Sequence, residues 1–231
     1  MVSYADLGQD LNVSADTVRR DIEILHKNGL VSKVKGGAIA RSKNPLTFQD
    51  RTTYELEEKD VIARKVQHLL KNGMTIFMDG GTTLCAAARH FTEEISIRVL
   101  TNNMALVPIL RNFKNIDLIV LGGRYNKDTE TNIGAKTCED TELYVADLYL
   151  MGSCAISKEH GVTASDSADG EVKKSMLKSA RKVIVLVNSS KVGTSEHFRV
   201  CSLNQVDAVI SELPSDDFKL ETLRYSDLTI L

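Results

Sequence analysis

Five short polar clusters in this chain combine glycine, hydroxyl, amide and cationic side chains as an anion-binding surface would. They are Asp79-Gly80-Gly81-Thr82-Thr83, Thr101-Asn102-Asn103, Gly122-Gly123-Arg124, Gly152-Ser153 and Asn188-Ser189-Ser190-Lys191-Val192-Gly193. Paired glycines let the backbone approach a ligand closely, and the N–H groups at a helix start point at an anion. Thr82, Thr83, Asn102 and Asn103 add neutral donors, while Arg124 and Lys191 add positive charge. The combination suits a phosphorylated polyhydroxyl compound. A dinucleotide or nucleoside triphosphate is not expected, because neither G-x-G-x-x-G after a strand nor G-x-x-x-x-G-K-[ST] occurs. Cys85, Cys138, Cys154 and Cys201 form no C-x-x-C pair, and the five histidines are scattered, so no disulfide framework, metal or cofactor is expected.

Each cluster follows an apolar, β-branched run. Strands are predicted at 74–78, 98–101, 116–121, 147–151, 183–187, 206–210 and 228–231, with helices at 57–72, 83–91, 103–111, 135–143 and 168–181 between them. That alternation predicts an α/β fold with a mostly parallel sheet and helices on both faces. In such sheets ligands sit outside the carboxyl ends of the strands, where the five clusters fall. A length of 231 residues, 42% apolar and 26% charged, is enough to bury a core without staples and excludes wholesale disorder. No window approaches the ~18 apolar residues of a membrane span, and the start MVSYADLGQD has no secretory pattern, so a cytoplasmic location is expected.

The formal charge of -2 is divided unevenly: residues 16–43 hold seven Lys/Arg against three acids, +4, which leaves -6 for the remainder. A basic head on an acidic body points to a polyanionic partner for the head. Ala5 to Leu11 reads as a short helix. Ser14 then caps a second helix, in which Val18, Ile22 and Leu25 form one apolar stripe and Gly29 marks the stop. The stripe leaves Asp16, Thr17, Arg19 and Arg20 outward on the N-terminal turns, the end a recognition helix presents to the major groove. Ser14 and Thr17 suit phosphates, and Arg suits guanine. Residues 30–39 alternate around Gly36-Gly37 as a β-hairpin wing whose Lys33 and Lys35 face the DNA backbone. The expected organisation is a DNA-binding domain over 1–42, a polar linker over 43–58 and a ligand-binding domain over 59–231.

The run N-V-S-A-D-T-V-R-R-D-I-E-I-L-H-K-N-G-L-V-S-K-V-K-G-G-A resembles the winged helix-turn-helix of DeoR-family bacterial transcriptional regulators. D-G-G-T-T, T-N-N, L-G-G, Asp169-Gly170-Glu171-Val172-Lys173 and S-S-K-x-G resemble that family's sensor domain, which shares the fold of ribose-5-phosphate isomerase and CoA transferases. The resemblance implies a repressor of carbohydrate metabolism that is not an enzyme, binds an operator duplex as a homodimer or homotetramer, and answers to a sugar phosphate. It adds Asp169 and Lys173 to the effector-binding residues Asp79, Gly80, Gly81, Thr82, Thr83, Thr101, Asn102, Asn103, Gly122, Gly123, Arg124, Gly152 and Lys191. It also implies a further helix of about twenty residues ahead of position 1, so the chain is expected to be N-terminally truncated. Lys35 stands where the family usually has His, and Asn188 where it commonly has Asp. The alternative is a sugar-phosphate isomerase. It would use Asp79, Asp166, Asp169 or Glu171 as base and Lys191 as the cation for the enediolate.

Overall fold

A computed structural model of the chain describes residues 2–27, 31–34, 36–40, 47–224 and 228–231. Two units, Met1–Leu56 and Glu57–Leu231, each hold their own contacts.

In the first unit, strand β1 (Val2–Ser3) leads into helix α1 (Tyr4–Asp10) through a reciprocal cap. The Ser3 hydroxyl accepts the Asp6 N–H at 3.0 Å while the Asp6 carboxylate accepts the Ser3 N–H at 3.4 Å. A turn at Leu11–Asn12–Val13 leads to helix α2 (Ala15–Lys27), where the Ser14 hydroxyl accepts the Thr17 N–H as expected. The wing forms from β2 (Val31–Val34) and β3 (Gly37–Ala40), antiparallel, with β1 added on the far side of β3. Only glycine fits at 37, because a Cβ there would lie 2.1 Å from the Val2 carbonyl. Val18 and Ile22 are buried with Ala38, flanked by Tyr4, Leu7, Leu25 and Val31. The stripe of α2 thus has its packing partners within this unit. The predicted helix stop at Gly29 and the wing residue Lys35 lie outside the described residues. Within the polar stretch expected as a linker over 43–58 lies helix α3 (Phe48–Thr52), capped by Thr47, with Phe48 buried. One aromatic anchor and a cap sufficed where aliphatic periodicity was missing.

The second unit opens with α4 (Leu56–Gln67), shorter than the predicted 57–72, and then β4 (Thr75–Met78), α5 (Thr82–Arg89) and β5 (Ile97–Thr101). The helix expected at 103–111 is a 3₁₀ turn, Met104–Leu106, running into the short α6 (Val107–Leu110). The chain continues through β6 (Ile116–Val120), the hairpin β7 (Arg124–Asn126) and β8 (Thr131–Ile133), α7 (Ala135–Glu142) and β9 (Leu148–Gly152). After these come β10 (Ala155–Ser157), β11 (Gly161–Ala164), α8 (Ser167–Lys178), β12 (Val183–Leu186) and β13 (Phe198–Cys201). β14 (Ala208–Ile210), α9 (Phe218–Glu221) and β15 (Thr229–Ile230) end the unit. The order β15-β14-β12-β9-β4-β5-β6 makes a seven-stranded sheet in which every pairing is parallel. Among the described residues, no helix is long and apolar enough to cross a membrane.

A second, antiparallel sheet, β10-β11-β13, was not expected from the sequence, nor was the β7–β8 hairpin. Unlike β4, β12 and β14, which sit inside aliphatic runs, these strands interrupt their apolar residues with Gly, Ser, Thr, Asn or Arg. The small sheet packs on α8 through Phe198, whose ring lies where a Cβ on Gly170 would stand, 2.2 Å from its Cδ1. Gly170→Ala is therefore expected to destabilise the body by about 1–2 kcal/mol, overpacking outweighing the helix propensity gained. At roughly 2–4 °C per kcal/mol for a chain this size, a thermal melt should drop by about 2–8 °C. A melt at or above the parent's would show that the ring yields freely.

Candidate functional site

β4 lies at the point where the chain reverses its direction across the sheet: β5 and β6 extend one way, β9, β12 and β14 the other. The crevice of a parallel sheet lies at such a switch point, outside the C-terminal ends of β4 and β9. Asp79, directly after β4, meets Gly152, the last residue of β9. The Gly152 N–H donates to Asp79 Oδ1 at 2.8 Å, while the Tyr149 hydroxyl and Lys173 Nζ each donate to Oδ2 at 2.5 Å. Lys173, from α8, also donates to the Gly152 carbonyl at 3.1 Å and pairs with Asp169 at 3.5 Å. Asp79 is 0% exposed and Lys173 3%. Burial alone would draw the Lys173 proton off, but the Asp169 and Asp79 carboxylates more than offset that and hold the ammonium above its ordinary value. Burial also pushes the Tyr149 hydroxyl well up, with the Asp79 charge adding to it, so Tyr149 stays a donor.

The loop after β4 is built for close approach. Gly81, at φ +138°, caps α5 with no side-chain acceptor, leaving the first-turn N–H groups of the helix facing the crevice end. A Cβ on Gly80 would come within 2.6 Å of the Thr131 methyl and 3.5 Å of Asp169 Oδ1, so β8 and α8 border this loop. Thr82 and Thr83 are almost wholly buried in the first turn. Asn103 ties the loop down, its Nδ2 donating to the carbonyls of Asp79 (3.1 Å) and Gly81 (3.4 Å) and its Oδ1 accepting the Ala105 N–H. The Thr101 hydroxyl donates to the Met78 carbonyl at 2.5 Å and accepts the Asn103 N–H at 3.0 Å. Thr101 and Asn103 are thus engaged in shaping the loop. Asn102 differs: its Nδ2 donates to the Asn132 carbonyl at 2.9 Å, but its buried Oδ1 has no donor among the described residues. Asn188 Oδ1, at the end of β12, is buried in the same unsatisfied state. Such acceptors ask for a donor.

The remaining strand ends adjoin rather than enter this cluster. The Gly122 carbonyl accepts the Thr137 hydroxyl at 2.7 Å and its N–H donates to Asp140 at 3.3 Å. Gly123, at φ +133°, leaves room for the Thr137 hydroxyl, 2.1 Å from where a Cβ would stand. Arg124 is exposed at the start of β7. Lys191 Nζ crosses to the Ser153 carbonyl at 2.9 Å, joining the β12 end to the β9 end. Sequence reasoning missed Tyr149, which reads as core inside L-Y-L-M-G, and missed Thr131 and Asn132, because the β7–β8 hairpin was not foreseen.

On the first unit, Ser14, Asp16, Thr17, Arg19 and Arg20 are all exposed at the N-terminal turns of α2. Arg19 lies 5.8 Å from the centre of the Tyr4 ring and 3.7 Å from Asp16. Lys33 Nζ pairs with Glu23, and that contact raises the lysine's proton affinity.

A winged helix-turn-helix followed by a parallel α/β body whose strand order reverses at β4 is the make-up of a DNA-binding regulator with a separate sensing domain. Residues 54–213 match the DeoR C terminal sensor domain, and residues 1–44 match the DeoR-like helix-turn-helix domain. The chain is 32% identical over 211 residues to the HTH-type transcriptional repressor GlcR of Bacillus subtilis (strain 168), covering 90% of this chain and 81% of that one. It is 30% identical over 214 residues to the glycerol-3-phosphate regulon repressor of Escherichia coli (strain K12), covering 92% and 85%. This chain belongs to the DeoR family of helix-turn-helix transcriptional regulators. Among solved structures, eIF2B delta from Chaetomium thermophilum aligns with TM-score 0.50 at 17% identity, over 88% of this chain and 65% of that one, a likeness of fold alone. Ribose 5-phosphate isomerase A from Methanocaldococcus jannaschii aligns with TM-score 0.43 at 18% identity, over 58% and 52%.

Proposed function

We propose that this chain is a repressor of carbohydrate metabolism released or recruited by a phosphorylated sugar bound at the C-terminal rim of the seven-stranded sheet. The observation that carries the reading is the open first turn of α5 behind the side-chain-free Gly81, on the same rim of strand ends as Asn102 and Asn188, whose buried amide oxygens lack donors among the described residues. The amides of α5 suit a phosphate, the Lys191 ammonium adds positive charge for it, and Asn102 and Asn188 suit sugar hydroxyls. Asp79, Thr101, Asn103 and Lys173 act beneath the ligand by shaping the loop, while Gly152, Gly122, Gly123, Arg124, Asp169 and Lys191 border it. The relative named for a glycerol-3-phosphate regulon supports the substrate class.

The isomerase alternative is disfavoured because Asp79 is enclosed, with its oxygens held by Lys173, Tyr149 and Gly152. A base must reach the substrate proton. Two-fold operators require paired recognition helices, so the working unit is a homodimer or homotetramer, and effector binding shifts the population between arrangements of the protomers.

The test is a melting series with sugar phosphates, each against its unphosphorylated parent. A ligand at 100 times its dissociation constant adds about 2.7 kcal/mol, an upward shift of roughly 5–11 °C, and the parent should give far less. Equal shifts from both members of every pair, or turnover of ribose 5-phosphate abolished by Lys191→Ala, would overturn the reading.

A further inference from the structure

β14 brings a sixth polar strand end to the rim, Ser211-Glu212, which the sequence reading passed over. The Glu212 carboxylate accepts the Ser189 N–H with both oxygens, at 2.9 and 3.0 Å, and its Oε2 also accepts the Ser211 hydroxyl at 2.7 Å. The backbone that carries Glu212 is gripped from α4. Lys65 Nζ donates to the carbonyl of Ser211 at 2.7 Å, of Leu213 at 3.0 Å and of Leu231, beyond β15, at 3.3 Å. An ammonium has three donors, and three carbonyls occupy them. Partial burial lowers the lysine's proton affinity, while the nearby Glu212 charge works against that.

Ser189 opens a single 3₁₀ turn, Ser189–Lys191, closed by the Lys191 N–H on the Asn188 carbonyl at 3.0 Å. One such turn has little stiffness of its own. Its two ends carry polar groups on the rim of strand ends: Asn188 with its unsatisfied oxygen at the start, and Lys191 reaching the Ser153 carbonyl after β9 at the close. We propose that Glu212 is a positioning residue of the effector site, holding the Ser189–Lys191 turn so that Asn188 and Lys191 face the crevice, with Lys65 holding Glu212 in turn. The inference rests on the rim being the effector site, and it assigns to that site a carboxylate that touches no ligand. A glutamate beside an anion site would ordinarily repel phosphate. Here both oxygens are engaged by the Ser189 N–H and the Ser211 hydroxyl, which holds the carboxylate toward the turn.

Amide hydrogen exchange and stabilisation by inorganic phosphate, measured on the full chain, test this together. In Glu212→Ala, exchange over 188–192 should rise about tenfold or more while the amides of β12 stay as they were, and the phosphate concentration for half-stabilisation should rise about tenfold. Glu212→Gln keeps an acceptor for Ser189 and removes the charge, so its exchange and its phosphate midpoint should stay within roughly threefold of the parent's. Lys65→Met should fall between the two. Unchanged exchange over 188–192 in Glu212→Ala overturns the proposal whatever phosphate does. Faster exchange with an unmoved phosphate midpoint also overturns it, reducing Glu212 to a structural cap. A parent chain that phosphate fails to stabilise sinks the effector reading itself, a result separable from the other two.

Discussion

Lys173→Met is expected to cost the body about 3–5 kcal/mol, which at roughly 2–4 °C per kcal/mol lowers its melting temperature by about 6–20 °C. The size follows from what is left behind. Asp79 is 0% exposed, and without Lys173 only the Tyr149 hydroxyl and the Gly152 N–H, among the described residues, would face its carboxylate. Asp169, paired with the same ammonium, would lose its cation as well. Burial already pushes the Asp79 carboxyl upward against the pull of Lys173, so the orphaned acid should take up a proton at a cost. The loss belongs to the unpaired partner more than to the pair. Asp79→Asn combined with Lys173→Met should therefore recover at least about half of it, since an amide can still accept from Gly152 and donate to Tyr149. Thermal melts of the parent, the single variant and the double variant decide the matter. A double variant as unstable as Lys173→Met would mean that the charge itself, rather than its pairing, carries the fold.

The same cluster shows what spacing along a chain can and cannot reveal. That polar loops follow strands at 79, 101, 122, 152 and 188 was legible, because β-branched runs stop abruptly at Asp, Gly, Thr or Asn. Their meeting on one rim followed from parallel pairing alone. The division of labour among them was hidden. Thr101 and Asn103 look like ligand donors in isolation, yet cross-strand carbonyls at Met78, Asp79 and Gly81 claim their hydrogen bonds. Those partners depend on β4 lying beside β5, a fact about strand order that local periodicity does not contain. Tyr149 and Glu212 were invisible for the same reason, one inside an apolar strand and the other in an ordinary turn. In the first unit the apolar stripe and the wing were readable, whereas the two-residue β1 and the anchor Phe48 were too short to announce themselves.

Arg20→Ala should weaken binding to a specific operator by about 10–100-fold, the roughly 1–3 kcal/mol of a lost guanine contact, with a smaller effect on non-specific duplex. Arg20 is exposed on the N-terminal half of α2, one turn beyond Thr17 and clear of the buried Val18–Ile22 stripe. Arg19 has a more constrained place: the Tyr4 ring and Asp16 already hold its guanidinium, so Arg19→Lys should lose that stacking and bind more weakly than the parent. Lys33 points to an opposite effect. Its ammonium is engaged by Glu23, and a phosphate must displace that carboxylate to be bound. Glu23→Gln should therefore tighten binding to any duplex and steepen the dependence of log affinity on log salt by about one unit, the mark of one more phosphate contact. Fluorescence anisotropy with an operator enriched from random duplexes, and with a scrambled duplex, over about 50–300 mM salt separates the two effects. Equal losses on both duplexes for Arg20→Ala would remove it from base reading, and an unaltered salt slope for Glu23→Gln would take Lys33 away from the phosphate backbone.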